Sequence, residues 1–126
     1  MNIEPPVLHE LEALVMSEVW KHEETTVREI LEAVNAHAER QRAYTTIMTI
    51  MTRLTSKGML SRRRQGKTDW YQARLGQEDY RQARAQAEVG ALVDEYGDAA
   101  LVHFARQMEQ LDPERRRRLR RLARGA

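Results

Sequence analysis

Residues 44–57 carry two opposed faces at helical spacing, and this stretch constrains the fold more than any other. Ile47, Ile50, Met51 and Leu54 recur in the i, i+3, i+4, i+7 pattern of a helix with one side in a core. Thr45, Thr49, Thr52, Arg53 and Ser56 fall on the other side. Threonine is a mediocre helix former because its branched Cβ restricts the side chain. Even so, Thr45, Thr46, Thr49, Thr52 and Thr55 all lie here. A helix that was only scaffold would more cheaply use Ala, Lys or Glu on its outer face. Gly58 follows and can take the left-handed conformation that ends a helix.

After Gly58 the period changes. Residues 59–64 and 69–73 flank Gln65-Gly66-Lys67-Thr68 and read as a β-hairpin with a basic tip, with Trp70 and Tyr71 anchoring the return strand. Upstream, Leu8, Leu11, Val15 and Val19 predict a helix over about 8–21, with Glu10, Glu12 and Glu18 on its surface. Thr26-Val27-Arg28-Glu29 is a capping box, and Val27, Ile30, Leu31 and Val34 continue it into a helix over 27–37. The expected fold class is therefore mainly α with a small β-hairpin wing, a winged helix-turn-helix. In that arrangement the second helix of the turn motif enters the DNA major groove.

Charge supports a nucleic-acid partner. The net charge of +2 conceals a central block. Residues 40–74 hold nine basic and one acidic side chains, a net +8, whereas residues 1–39 are at −7 and 75–111 at −4. Threonine hydroxyls can bond phosphates or base edges, and their methyls can meet thymine methyls. Arg53 is long enough for a phosphate or a guanine edge. Arg42 precedes the helix and Lys57 follows it. Arg62, Arg63, Arg64 and Lys67 on the hairpin suit backbone positioning or a minor-groove probe. Two other classes fit the same residues: a winged module that binds protein, and an architectural DNA binder without sequence preference.

Beyond Gly76 the chain is helical again. Val89, Leu92, Val93 and Tyr96 form one stripe ending at Gly97; Asp98 is expected to cap the next helix, whose stripe is Leu101, Phe104, Ala105, Met108 and Leu111. Asp112-Pro113-Glu114 starts a last helix over about 114–124. These readings divide the chain into a winged-helix domain over 1–75 and a helical region with a basic tail over 76–126. The second region has little core of its own. Either it folds back on the first, or Leu92, Val93, Tyr96, Leu101, Phe104, Met108 and Leu111 pack against the same segment of a second chain. The dimer is the favoured reading, because two-fold symmetry explains how a small reader recognises a two-fold operator. The arginines of the tail suit solvation of a helix end or a supplementary DNA contact. A membrane-surface role would rest on Leu119 and Leu122 alone.

Several classes are excluded or left without support. Cysteine is absent, which removes disulfides, thiol nucleophiles and Cys-based metal sites. No apolar run approaches the roughly 20 residues of a membrane span. The opening MNIEPPVLHE lacks the basic and apolar regions of a secretory signal, so the expected location is the cytoplasm. His9, His22, His37 and His103 are scattered, and there is no metalloprotease, nucleophile-elbow, P-loop or dinucleotide motif. Neither catalysis nor a cofactor or metal is expected.

The segment Ala43-Tyr44-Thr45-Thr46-Ile47-Met48-Thr49-Ile50-Met51-Thr52-Arg53-Leu54, followed by Lys57-Gly58 and the basic wing, resembles the penicillinase-repressor family (BlaI/MecI type). Residues 8–16 with Val19-Trp20, and 26–30, are similar to its first and second helices. The resemblance runs over about 7–111. It implies a homodimeric repressor of a palindromic promoter operator, commonly one controlling β-lactam resistance genes. Thr45, Thr46, Thr49 and Arg53 would then lie in the major groove beside Tyr44, with Arg63, Arg64 and Lys67 on the wing. Some members are cut by a sensor-activated protease at an Asn-Phe bond in the dimerisation region, which would make a regulatory protease a partner. The matching stretch here reads Val102-His103-Phe104. The cysteine-rich motif of the copper-responsive branch is missing.

Overall fold

A computed structural model of the chain describes residues 4–125. Its elements run α1 (Glu10–Val19), α2 (Val27–Ala36), α3 (Tyr44–Ser56), β1 (Leu60–Gln65), β2 (Thr68–Ala73), α4 (Gln77–Tyr96), α5 (Asp98–Glu109) and α6 (Pro113–Ala123). They form two compact units, Met1–Arg84 and Ala85–Ala126.

The first unit is a three-helix core closed by a hairpin. Val15, Met16 and Val19 of α1 and Val27, Ile30, Leu31 and Val34 of α2 are buried. So are Ile47, Ile50, Met51 and Leu54 of α3. Met59, Leu60 and Tyr71 complete this core from the hairpin. Fully burying a side chain of this size is worth about 1.5–3 kcal/mol, so these positions dominate the stability of the unit. The capping box of α2 forms as its sequence predicts: the Glu29 amide donates to Thr26 Oγ1 at 3.2 Å and the Thr26 amide to Glu29 Oε1 at 3.1 Å. Gly58 ends α3 at φ +83°.

β1 and β2 pair antiparallel from Leu60↔Ala73 to Gln65↔Thr68. The turn is thus only Gly66-Lys67, two residues shorter than the sequence suggests because Gln65 and Thr68 join the strands, and Gly66 takes φ +61°. On the other edge of β2, Thr25 exchanges both backbone hydrogen bonds with Tyr71, at 2.9 and 2.8 Å. This single bridge ties the α1–α2 connection to the wing.

Glu12 is a correction to its expected surface position: it is only 1% exposed. It lies between Leu8 and Val15 on the inward stripe of α1. Its carboxylate takes the Lys57 ammonium at 2.8 and 2.9 Å and the His9 amide at 3.0 Å. Asp98 is a second correction. The N-cap of α5 is Gly97 at φ +58°, and Asp98 is already the first helical residue, without a side-chain cap. The Gly97 amide still donates to Val93 at 2.7 Å. The break between α4 and α5 is therefore one residue wide and leaves no place for a separate cap.

The start of α4 belongs to the first unit. Trp20 Nε1 donates to the Leu75 carbonyl at 2.9 Å, and its ring meets that of Tyr80 at 5.6 Å. Tyr80 Oη donates to the Pro6 carbonyl at 2.7 Å, and Arg84 to that of Pro5 at 3.0 Å. The Pro5-Pro6 segment, without amide donors of its own, supplies acceptors.

In the second unit α4, α5 and α6 contain no buried residue. Asp112 caps α6 by accepting the Arg115 amide at 2.9 Å. Leu92, Tyr96, Ala99, Ala100, His103 and Phe104 line a groove of 360 Å³.

The Glu12–Lys57 pair carries a pH dependence. Burial alone would raise the Glu12 carboxyl; the Lys57 hydrogen bond, the His9 amide and the charge of Lys57 outweigh it and leave it below its ordinary value. The folded state then binds fewer protons than the unfolded one as pH falls below about 4.5, so stability drops there and is fully present above. Urea titrations between pH 3 and 7 are expected to show this fall in the wild type and a flatter profile in Glu12→Gln. Lys57→Met strands a buried carboxylate and is expected to cost about 3–5 kcal/mol at pH 7.

Candidate nucleic-acid interface

The turn that presents α3 is built by Asn35, in the last turn of α2. Its Oδ1 accepts the Arg42 amide at 2.8 Å and its Nδ2 donates to the Arg42 carbonyl at 3.0 Å. Gln41 Nε2 adds a bond to the Asn35 carbonyl at 2.9 Å. Two backbone groups before α3 are thus satisfied by one side chain, which fixes where the helix begins. Nothing in the apolar pattern singles out Asn35, so sequence reasoning missed it. Its one legible signal is a polar residue closing a stripe that ends at Val34.

α3 is about 20 Å long at 1.5 Å per residue. Its inner face is the core set named above. Thr45, Thr49, Thr52 and Arg53 are exposed, and Thr46 is half-buried at the margin. Tyr44 and Met48 are each 41% exposed on the same helix. The Arg28 guanidinium of α2 lies 5.2 Å from the centre of the Tyr44 ring, a cation–π contact that steadies the first residue of α3. Thr55 differs from the other threonines: its hydroxyl donates back to the Met51 carbonyl at 2.8 Å. Met48 lies outside the contact set expected from the sequence and shares the exposure of Tyr44.

The end of α3 runs directly into the wing. The Lys57, Gly58 and Met59 amides donate to Arg53, Thr55 and Leu54, and the Arg74 amide returns to Met59 at 3.0 Å. Helix end and hairpin root are therefore one hydrogen-bonded corner over buried Met59 and Leu60.

The basic residues fall into two groups. Among the described residues, no ion pair involves Arg42, Arg53, Arg62 or Lys67. Arg53, Arg62 and Lys67 are exposed, and Arg42 is half-buried at the turn. Lys57 is held by buried Glu12. Arg63 binds the Glu24 carboxylate in a fork, with Nε at 3.1 Å and Nη2 at 3.2 Å, and reaches Gln65 at 2.8 Å. Arg64 lies 3.8 Å from Asp69, directly across the hairpin. Glu24 is a partner that linear reading cannot find, because it lies 39 positions from Arg63.

The residues expected to mediate self-association lie elsewhere, in the second unit. Leu92, Tyr96 and Leu101 are exposed, and Val93, Phe104, Met108 and Leu111 are half-buried. Among the described residues no group of acids and histidines is arranged to hold a metal ion. No described helix is long and apolar enough to cross a membrane.

Comparison with known proteins agrees with this geometry. The family model described as penicillinase repressor matches residues 8–124. The chain is 34% identical over 104 residues to the transcriptional regulator BlaI of two strains of Mycobacterium tuberculosis, spanning 80% of this chain and 73% of theirs. These relatives are transcriptional regulators, not enzymes. The solution structure of the DNA-binding domain of the repressor BlaI superimposes with a TM-score of 0.53 at 26% identity, over 64% of this chain and 94% of that domain. The monomeric form of Bacillus licheniformis BlaI, solved in complex with the blaP half-operator, gives 0.50 at 26% identity, over 60% and 90%. With its three core helices, its hairpin wing and a family match across nearly its whole length, this chain belongs to the penicillinase-repressor family of winged-helix transcriptional regulators.

Proposed function

We propose that the protein is a homodimeric repressor that occupies a palindromic promoter operator in the cytoplasm, with β-lactam resistance genes as the regulated set. One observation carries the DNA reading: α3 buries Ile47, Ile50, Met51 and Leu54 while leaving Thr45, Thr49, Thr52 and Arg53 exposed on one face. The blaP half-operator bound by the Bacillus licheniformis relative supports the ligand, and the family's description as penicillinase repressor supports the class of gene.

In this reading α3 enters the major groove. Thr45 and Thr49 bond phosphates or base edges there, and Arg53 reaches a guanine or a nearby phosphate. Asn35 sets the entry of the helix, and Arg28 holds Tyr44 at its start. The wing works through Arg62 and Lys67, which form no ion pair among the described residues. Arg63 and Arg64, engaged by Glu24 and Asp69, shape the hairpin and add weaker attraction. Lys57 is a strut between α1 and the end of α3.

Self-association follows from the second unit. Three amphipathic helices with no buried residue leave Leu92, Tyr96 and Leu101 in water, and the same surface on a second copy covers them without exposing new apolar area. A dimer also supplies two copies of α3 for two half-sites.

Selection of bound sequences from a random duplex pool is expected to enrich a palindrome with half-sites one helical turn apart, or a multiple of that spacing. Salt-sensitive binding without an enriched motif would instead favour the architectural alternative. On the enriched site Arg53→Ala is expected to lose about 1–3 kcal/mol. Unchanged affinity at fixed salt would remove Arg53 from the interface. Arg62→Ala with Lys67→Ala is expected to weaken binding to every sequence and reduce the salt slope by about 2; titrations from 50 to 200 mM salt measure it. Leu101 is 49% exposed. Leu101→Asp therefore costs the isolated chain little and is expected to halve the mass seen in sedimentation.

A further inference from the structure

α6 carries charge in a way that ordinary solvated helices avoid. Between Arg115 and Arg124 there are seven arginines and no acid. Two acids stand at its start, Glu114 in the first turn and Asp112 as the N-cap. The Asp112 carboxylate accepts the Arg115 amide and also meets the charges of Arg115 and Arg118, so two carboxylates face seven guanidiniums. Among the described residues, no ion pair includes an arginine of α6; Arg116 donates only to the Leu111 carbonyl, at 3.3 Å.

Two electrostatic terms work against such a helix in isolation. Arg115 and Arg118, Arg117 and Arg121, and Arg120 and Arg124 are like-charge neighbours at i, i+3 or i, i+4, which destabilise a helix. Arg115 and Arg116 also stand in the first turn, at the end of the dipole that favours anions. Only the last-turn arginines are placed as helix-end solvation would place them. External anions spaced along the helix relieve both terms.

We propose that α6 is a second, sequence-independent binding element for the sugar-phosphate backbone of duplex DNA. It rests on the reading of the first unit as a DNA reader, because a duplex held there is presented to α6 at the effective concentration of a single chain. An anionic membrane surface fits less well. An interfacial helix needs a broad apolar face, and α6 offers Leu119, half-buried, and Leu122 alone. Acidic segments of another copy are the main competitor. Glu12, Glu18, Glu24 and Glu29 are engaged within the chain, but Asp94, Glu95 and Asp98 are exposed. A Gln variant that loses sedimentation mass while keeping DNA affinity would reassign α6 to them and overturn the proposal.

The test replaces Arg115, Arg117, Arg118 and Arg121 together by Gln, which keeps helix propensity, and in a second variant by Lys. Full-length proteins of equal helicity are compared in sedimentation mass and titrated with a 60-base-pair random-sequence duplex pool between 50 and 200 mM salt. The Gln variant is expected to keep the wild-type mass and to lose about tenfold or more in affinity at 100 mM, with a salt slope lower by about 2–4. The Lys variant is expected to keep the wild-type slope. Wild-type affinity and slope in the Gln variant overturn the proposal, as does a Lys variant that behaves like Gln. So does unaltered DNA binding combined with loss of wild-type binding to phosphatidylserine vesicles, which would reassign α6 to a membrane. If the wild type shows no DNA binding, the function proposed for the first unit fails too. If Arg53→Ala weakens a selected site while the Gln variant is unaffected, only the α6 proposal fails.

Discussion

A carboxylate inside an apolar core must be matched or it destabilises the fold, and in this protein that requirement links the first helix to the corner where α3 meets the hairpin. Glu12 is placed by α1 and matched by Lys57, the C-cap of α3. Lys57 is followed by Gly58 and Met59, the corner from which the hairpin departs. The ion pair therefore holds in one place the first helix, the end of the Thr-faced helix and the root of the wing. A pair of apolar side chains at these positions could stabilise the core as well or better. It would tolerate sliding, however, whereas two hydrogen bonds at 2.8 and 2.9 Å define a position. The opposite end of α3 is fixed in the same manner by the two bonds of Asn35 to Arg42. The helix is thus located by polar contacts at both termini and by apolar contacts along one side, and its threonine face is left free of structural duty.

The fold was legible because its main signals are periodic. The alternation of core and threonine faces in α3, the capping box at Thr26 and the change of period after Gly58 each depend on neighbours within a few residues. The misreadings share a different physical origin. Glu12 looks like surface because hydropathy carries no information about a partner 45 positions away. The fork between Arg63 and Glu24, the Thr25–Tyr71 bridge and the Tyr80–Pro6 bond are likewise long-range and specified by single atoms. Asp98 was misplaced because a glycine at positive φ can turn one helix into the next without a capping side chain. In the candidate site the exposed threonine face and the number of nearby cations are visible in sequence. The division of its cations into free and compensated groups is not, since that depends on where the acids come to rest.

The two units show how differently similar amphipathic patterns can end. In the first, apolar stripes on three helices meet one another and a hairpin, and most of their side chains disappear from water. In the second, stripes of comparable length on α4 and α5 are not fully covered within that unit and remain in part exposed. An isolated three-helix segment of this size is poorly stabilised by its own burial. Under the proposed function, its order is coupled to association, so that the species able to span two half-sites is also the species in which this unit is most stable.

The wing turn has a consequence for how such a protein diversifies. From Arg62 through Thr68 every side chain is exposed, and a Cβ added at Gly66 would meet nothing within 4 Å, although its positive φ favours glycine. Substitutions at the neighbouring positions neither open cavities nor crowd the interior. Strand register is kept by Leu60 and Tyr71 at the far end of the hairpin. Under the proposed function, selection can therefore add or remove charge at Arg62 and Lys67 in single steps, tuning general attraction for DNA without disturbing either folding or the residues of α3. Affinity and specificity then become separately heritable traits within one small domain.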